Sequence, residues 1–231
     1  MRASGLPAYN GPVQGYGSKT LRVFLLDDHD IVRRGLRDLL ASARDISVVG
    51  ETGSAERAPR MIQELKPDVM VLDVQLQDGT GIEVCRRVRA HDAGIHGLLL
   101  TSSGDDEAMV AAILAGAAGY LIKLTASVEM IGAVRRVGAG KSLFDGEERT
   151  RAVERLRAEL TRPETTRLDD GEREVLLGVL DGVTNTDLAA RLGLAPDAID
   201  VAVGNLVETL IGVSSAARLG AAGGKHRRLD S

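Results

Sequence analysis

The chain has 231 residues and a formal net charge of −4, long enough for one full domain and a smaller second one, with no global attraction to nucleic acid or anionic lipid. Its single cysteine, Cys85, excludes an intrachain disulfide and fits a reduced, cytoplasmic setting, where it reads as a small buried hydrophobe. No stretch approaches the roughly 18 apolar residues that a membrane-spanning helix needs.

Residues 1–19 are rich in Gly, Pro, Tyr and Ser, lack an apolar signal-peptide core and read as a disordered tail. LRVFLL, from Leu21, is a strand. A helical pattern follows from about Asp30 to Ser42, with Ile31, Leu36, Leu39 and Leu40 on one face. ISVVGE is the second strand, and Ser54 is placed to cap a helix that ends near Leu65. Lys66-Pro67-Asp68 is a turn before the third strand, VMVLD. QDGTG reads as a phosphate-sized loop leading into a helix from Ile82 to about Ala90. HGLLLT is the fourth strand, Asp105–Ala115 a helix ended by Gly116, and GYLIK the fifth strand. A helix capped by Ser127 fades at Gly138-Ala139-Gly140. Five βα units predict a parallel sheet covered by helices on both faces over residues 20–140. Residues 141–166 contain EERTRAVERLRAEL, a linker helix stopped by Pro163. Residues 167–222 carry no strand pattern and read as a small all-helical domain, and 223–231 as a second disordered tail.

Five polar residues stand at the ends of the apolar runs: Asp27, Asp28, Asp73, Thr101 and Lys123. In an open α/β sheet the carboxyl ends of the strands form the ligand crevice. One pocket then gathers three carboxylates, a hydroxyl and an ammonium. The carboxylates repel unless a hard cation with oxygen ligands lies among them. Lys123 and Thr101 can meet phosphate oxygens, and Asp73 has the surroundings of a nucleophile toward a phosphoryl donor. A D-x-D-x-T phosphatase would need a second carboxylate two residues after Asp73, where Gln75 stands.

LLDDHDIVRRGL, VLDVQLQDGTGIEVCRRVR, LLLTSS and LAGAAGYLIK, in that order, resemble the receiver domain of two-component response regulators. The resemblance implies an α/β, flavodoxin-like fold with a five-stranded parallel sheet, and no enzymatic activity as the protein's role. It implies Asp73 as the phosphoacceptor, phosphorylated by a histidine kinase. Mg²⁺ would be ligated by Asp28, Asp73 and the backbone carbonyl of Gln75, with Asp27 acting mainly through a water. Thr101 and Tyr120 match the family's switch residues, and Lys123 its phosphate-binding lysine. Two positions depart from the pattern: Gln77 stands where the loop usually has proline, and Leu124 follows Lys123 where the wider family often has proline.

LDDGEREVLLGVLDGVTNTDLAARLGLAPDAIDVAVGNLVETL resembles the helix-turn-helix output domain of the NarL/LuxR family. The receiver is particularly similar to the actinobacterial dormancy-regulator branch. The match implies transcription regulation, DNA as a partner and a phosphorylation-dependent homodimer or pairing with a related regulator. The expected recognition helix, from Pro196 through Leu210, departs from that pattern. Ala195 replaces the cap serine, and Ala198, Asp200, Ala202 and Thr209 replace the usual polar and basic residues. Asn185 and Asn205 remain as candidate nucleic-acid contacts. Between Leu168 and Leu219 acidic residues outnumber Arg173, Arg191 and Arg218, the only cations there, whereas DNA binding draws on phosphate neutralisation by Lys and Arg. Two outputs follow: DNA binding through the helix-turn-helix, or a phospho-switched interaction with a protein.

Overall fold

The structure is a computed structural model that describes residues 20–101, 106–123, 127–161, 168–181 and 183–206. Both expected tails, Pro163, Leu124 and the end of the expected recognition helix lie outside these residues.

The apolar runs form strands because each is buried on both faces, the situation of a parallel sheet under helices. They are β1 (Leu21–Leu26), β2 (Ile46–Thr52), β3 (Val69–Asp73), β6 (His96–Thr101) and β7 (Gly119–Ile122). All pairings are parallel, in the order β2-β1-β3-β6-β7. This is a flavodoxin-like order, with its switch point beside β1 and β3. Every residue of central β3 is buried. QDGTG is not an open loop: β4 (Gln75–Leu76) and β5 (Gly79–Thr80) pair antiparallel as a small ribbon. Gly79, at φ +148°, supplies a backbone conformation that side-chain-bearing residues avoid.

Helices α1 (Asp30–Ala41) and α5 (Ser127–Gly138) cover one face of the sheet. Leu40 of α1 is buried, but Ile31 is 88% exposed, against the sequence expectation. At 100° per residue Ile31 lies on the side of the helix opposite Leu40. Helices α2 (Ala58–Leu65), α3 (Gly81–His91) and α4 (Asp106–Leu114) lie on the other face. Ser54 does not cap α2 directly. It opens a turn in which its Oγ accepts from Arg57 N–H at 3.3 Å, and the helix begins at Ala58. Thr80 Oγ1 caps α3 by accepting from Glu83 N–H at 3.0 Å.

The charged segment after the sheet forms α6 (Gly146–Leu160), which packs on α4 and buries Ala152, Leu156 and Leu160. Helix α7 (Asp170–Leu180) starts with a capping box between Asp169 and Glu172, and α8 (Asn185–Leu192) is capped by Thr184. The last helix among the described residues, α9, covers residues 196–206. Val175, Leu176, Leu188, Ile199 and Val203 join one continuous apolar core with Val84, Val88, Ala111 and Leu114 of α3 and α4. The C-terminal helices therefore pack directly on the α3–α4 side of the sheet. Gly204 of α9 makes the approach close: a Cβ there would lie 2.9 Å from Thr80 Oγ1.

Candidate functional site

The strand order sets the pocket. β3 delivers Asp73 at its last residue, β1 beside it ends just before Asp27 and Asp28, and β6 on the other side ends in Thr101. Lys123 follows β7, with its N–H donating to the Thr101 carbonyl at 2.8 Å. Its Nζ then reaches across β6 to Asp73 Oδ2 at 2.5 Å and Asp27 Oδ2 at 3.1 Å. Asp27, Asp73 and Thr101 are buried. Carboxylate or imidazole atoms of Asp27, Asp28, His29 and Asp73 all lie within 4.8 Å of one another.

The electrostatics follow from this crowding. Burial pushes the Asp73 carboxyl above its ordinary pKa, against the pull of Lys123, and Asp27 adds to the rise. Burial lowers the Lys123 pKa, but its bonds and charge interactions with Asp73 and Asp27 outweigh that, so the net shift is upward. Asp27 Oδ2 and Asp28 Oδ1 are buried and accept no aligned hydrogen bond, although Lys123 Nζ lies 3.1 Å from the first and His29 Nδ1 2.7 Å from the second. Under-satisfied carboxylate oxygens converging on one point suit a hard divalent cation.

A shell of backbone and side-chain contacts holds the acids, and most of it leaves no signal in the sequence. His29 N–H donates to Asp27 Oδ1 at 2.8 Å, and Arg33 holds the Asp27 carbonyl at 2.6 Å. Gln75 N–H donates to Asp73 Oδ1 at 3.2 Å, and Gln77 N–H to Asp28 Oδ2 at 3.1 Å. That last donor exists because residue 77 is not proline. Asp78 ties the β4–β5 ribbon to the turn before α2, accepting from Ser54 Oγ at 2.7 Å and Ala55 N–H at 2.9 Å. These bonds hold its carboxyl below the usual range, the Ser54 hydroxyl contributing most. His29 adjoins the acidic pair in sequence and was detectable there; the backbone donors were not. Tyr120 is half-buried in β7, with its ring centroid 6.3 Å from that of Phe144.

The response regulator receiver domain matches residues 23–135. The DNA-binding transcriptional activator DevR/DosR of Mycobacterium tuberculosis is 43% identical over 192 residues, 82% of this chain and 88% of the relative. The chain belongs to the LuxR/NarL family of response regulators. The response regulator protein VraR of Staphylococcus aureus is 32% identical over 193 residues, 83% of the regulator described here and 90% of VraR. Among solved structures, a LuxR-family two-component response regulator from Aurantimonas superposes with a TM-score of 0.53 at 32% identity. It covers 59% of this regulator and 98% of that chain. The receiver domain of NarL from Mycobacterium tuberculosis gives 0.51 at 29% identity, over 53% and 99%.

The two residues expected to contact nucleic acid have different surroundings in this regulator. Asn205 is on the exposed side of α9. Asn185 does not face solvent as a free reader: its Oδ1 accepts from Arg86 of α3 at 2.7 Å and its Nδ2 donates to Asp200 of α9 at 2.7 Å. Arg86 Nε meets the same Asp200 Oδ1 at 3.0 Å, so α9 lies against the receiver through a charged contact. No helix among the described residues is long and apolar enough to cross a membrane.

Proposed function

We propose that this regulator accepts a phosphoryl group from a histidine kinase on Asp73, in the cytoplasm, and uses it to control transcription through its C-terminal helices. The observation that carries the reading is the position of Asp73. It is buried at the end of the central strand, faced by Lys123 at 2.5 Å and flanked by Asp27 and Asp28. A carboxylate oxygen of Asp73 attacks phosphorus, a P–O bond forms, the P–N bond to the donor histidine breaks, and the imidazole leaves with the electron pair and takes up a proton. Asp28, Asp73 and the Gln75 carbonyl would hold Mg²⁺, with Asp27 acting through a water. Bound there, the cation supplies positive charge against the phosphoryl oxygens. Lys123 then exchanges its carboxylate partner for a phosphate oxygen. Thr101 donates its hydroxyl to another, and Tyr120 turns inward behind it.

The test is mobility-shift electrophoresis or mass spectrometry after incubation with acetyl phosphate and Mg²⁺. One phosphoryl adduct, labile to alkali and to hydroxylamine as an acyl phosphate is, is expected on the wild type and none on Asp73→Asn. Equal labelling of the two ends the reading.

The expected output is DNA binding by a dimer released from the resting arrangement. A second output, binding of a protein in place of DNA, is favoured by one observation: the middle of α9 carries Asp200, a charge that phosphates repel. Salt-sensitive retention on DNA by the phosphorylated regulator supports the first output. No retention even at about 50 mM salt supports the second.

A further inference from the structure

We propose that Asp200 and Asn185 form a receptor for an arginine side chain, and that Arg86 of the receiver fills it in the resting chain. Both partners of the receptor come from the C-terminal helices: Asn185 Nδ2 of α8 donates to Asp200 Oδ1 of α9 at 2.7 Å. Ile199 and Val203, neighbours of Asp200 on the same side of α9, are fully buried. The side chain of Asp200 is 3% exposed and that of Arg86 12%.

The fit is to a planar fork. Arg86 Nε meets Asp200 Oδ1 at 3.0 Å, one terminal nitrogen donates to Asn185 Oδ1 at 2.7 Å, and the other to the Leu114 carbonyl at 2.7 Å. A guanidinium presents three nitrogens in one plane, and an ammonium on a flexible stem does not. Arg86 thus joins α3, the last residue of α4, α8 and α9 through one group. Charge sign decides the class of ligand: a carboxylate at this point of α9 attracts a guanidinium and opposes a nucleic-acid phosphate. Desolvation decides the behaviour. A buried carboxylate stripped of its cation is strongly unfavourable, so the receptor is either filled or opened to water by separation of α9 from α3. The position that read in sequence as a lost DNA contact therefore has a use of its own.

This inference rests on the reading that the receiver controls the C-terminal helices, but it concerns the unphosphorylated chain and can be tested without a phosphodonor. The experiment is hydrogen exchange of the full-length regulator, following amides 197–206 with the amides of α1 as internal reference. Wild type, Arg86→Met, Asp200→Asn and the double variant are compared. Each single change is expected to speed exchange in α9 at least about tenfold, a loss of roughly 1.4 kcal/mol by the standard conversion, with α1 unchanged. The double variant is expected to go no further than the faster single, because both remove one shared contact. Arg86→Lys is expected to behave as Arg86→Met does. Should a single variant also lose protection in α1, the swapped pair Asn185→Asp with Asp200→Asn, which keeps one carboxylate and one amide facing Arg86, decides: protection of α9 must return relative to Asp200→Asn alone. Unchanged α9 exchange in the singles, effects that multiply in the double, or no recovery in the swapped pair overturns the proposal. Failure of Asp73 to label with phosphate would leave these outcomes intact.

Discussion

Gly81 occupies a place where a Cβ would stand 2.1 Å from the carbonyl oxygen of Asp73. The N-terminus of α3 abuts the acid-bearing strand so closely that only hydrogen fits. Gly81→Ala is predicted to cost about 3 kcal/mol by overpacking against backbone, read from urea unfolding, and to slow Asp73 labelling by displacing its peptide. The sequence displays Asp27, Asp28, Asp73, Thr101 and Lys123 openly, because each ends an apolar run and a parallel sheet brings such ends together. It conceals Gly81 and the Gln77 donor, whose contributions are a missing atom and a backbone N–H. Asp200 was visible but misleading: a charge reversal is read as a lost DNA contact until its partner, far away in sequence, is known.

Cys85 illustrates what an element does to a residue. It sits on the buried side of α3, fully covered, with its Sγ 2.4 Å from where a Cβ on Gly97 would be. Burial pushes its thiol up to about 12, against smaller opposing effects of Arg89 and Arg86. A raised thiol pKa leaves stability unaffected while both states are protonated. As pH rises past the ordinary value of 9.0, the unfolded chain loses its proton and the folded chain does not, so stability falls until the folded pKa is reached. Two outcomes follow. At pH 8 a thiol reagent is expected to label the native protein only at the rate of opening. Between pH 9 and 11 the wild type is expected to lose stability relative to Cys85→Ala by about 1.4 kcal/mol per pH unit at most, measured by urea midpoints. The five strands and most helices were legible because their periods are long enough to read. The β4–β5 ribbon was not, since two-residue strands show no alternation, and Ile31 is an apolar residue whose helical angle turns it to solvent.

At the scale of the whole molecule, sequence separates a receiver from a helical region through composition but cannot show that they share a core. That core runs from Val84 and Leu114 to Leu176 and Val203, and α4, bordering the segment after Thr101, lies within it. Phosphorylation that rearranges this side is expected to loosen α9. Acetyl phosphate with Mg²⁺ should accelerate exchange over 197–206 in the wild type and leave Asp73→Asn unchanged; moving a docked fraction from 99 to 1 per cent requires about 5.5 kcal/mol of differential stabilisation. Gly204 gives the detached helix a further property. Its bare Cα lets α9 lie against Thr80 and Glu83, yet a glycine inside a helix weakens it by about 1 kcal/mol relative to alanine. The docked helix is supported by the surface that requires the glycine, and the undocked helix retains only its loosening effect. Separation thus yields a segment with more conformational entropy than the one that was bound, and its final shape is left to whatever it meets next.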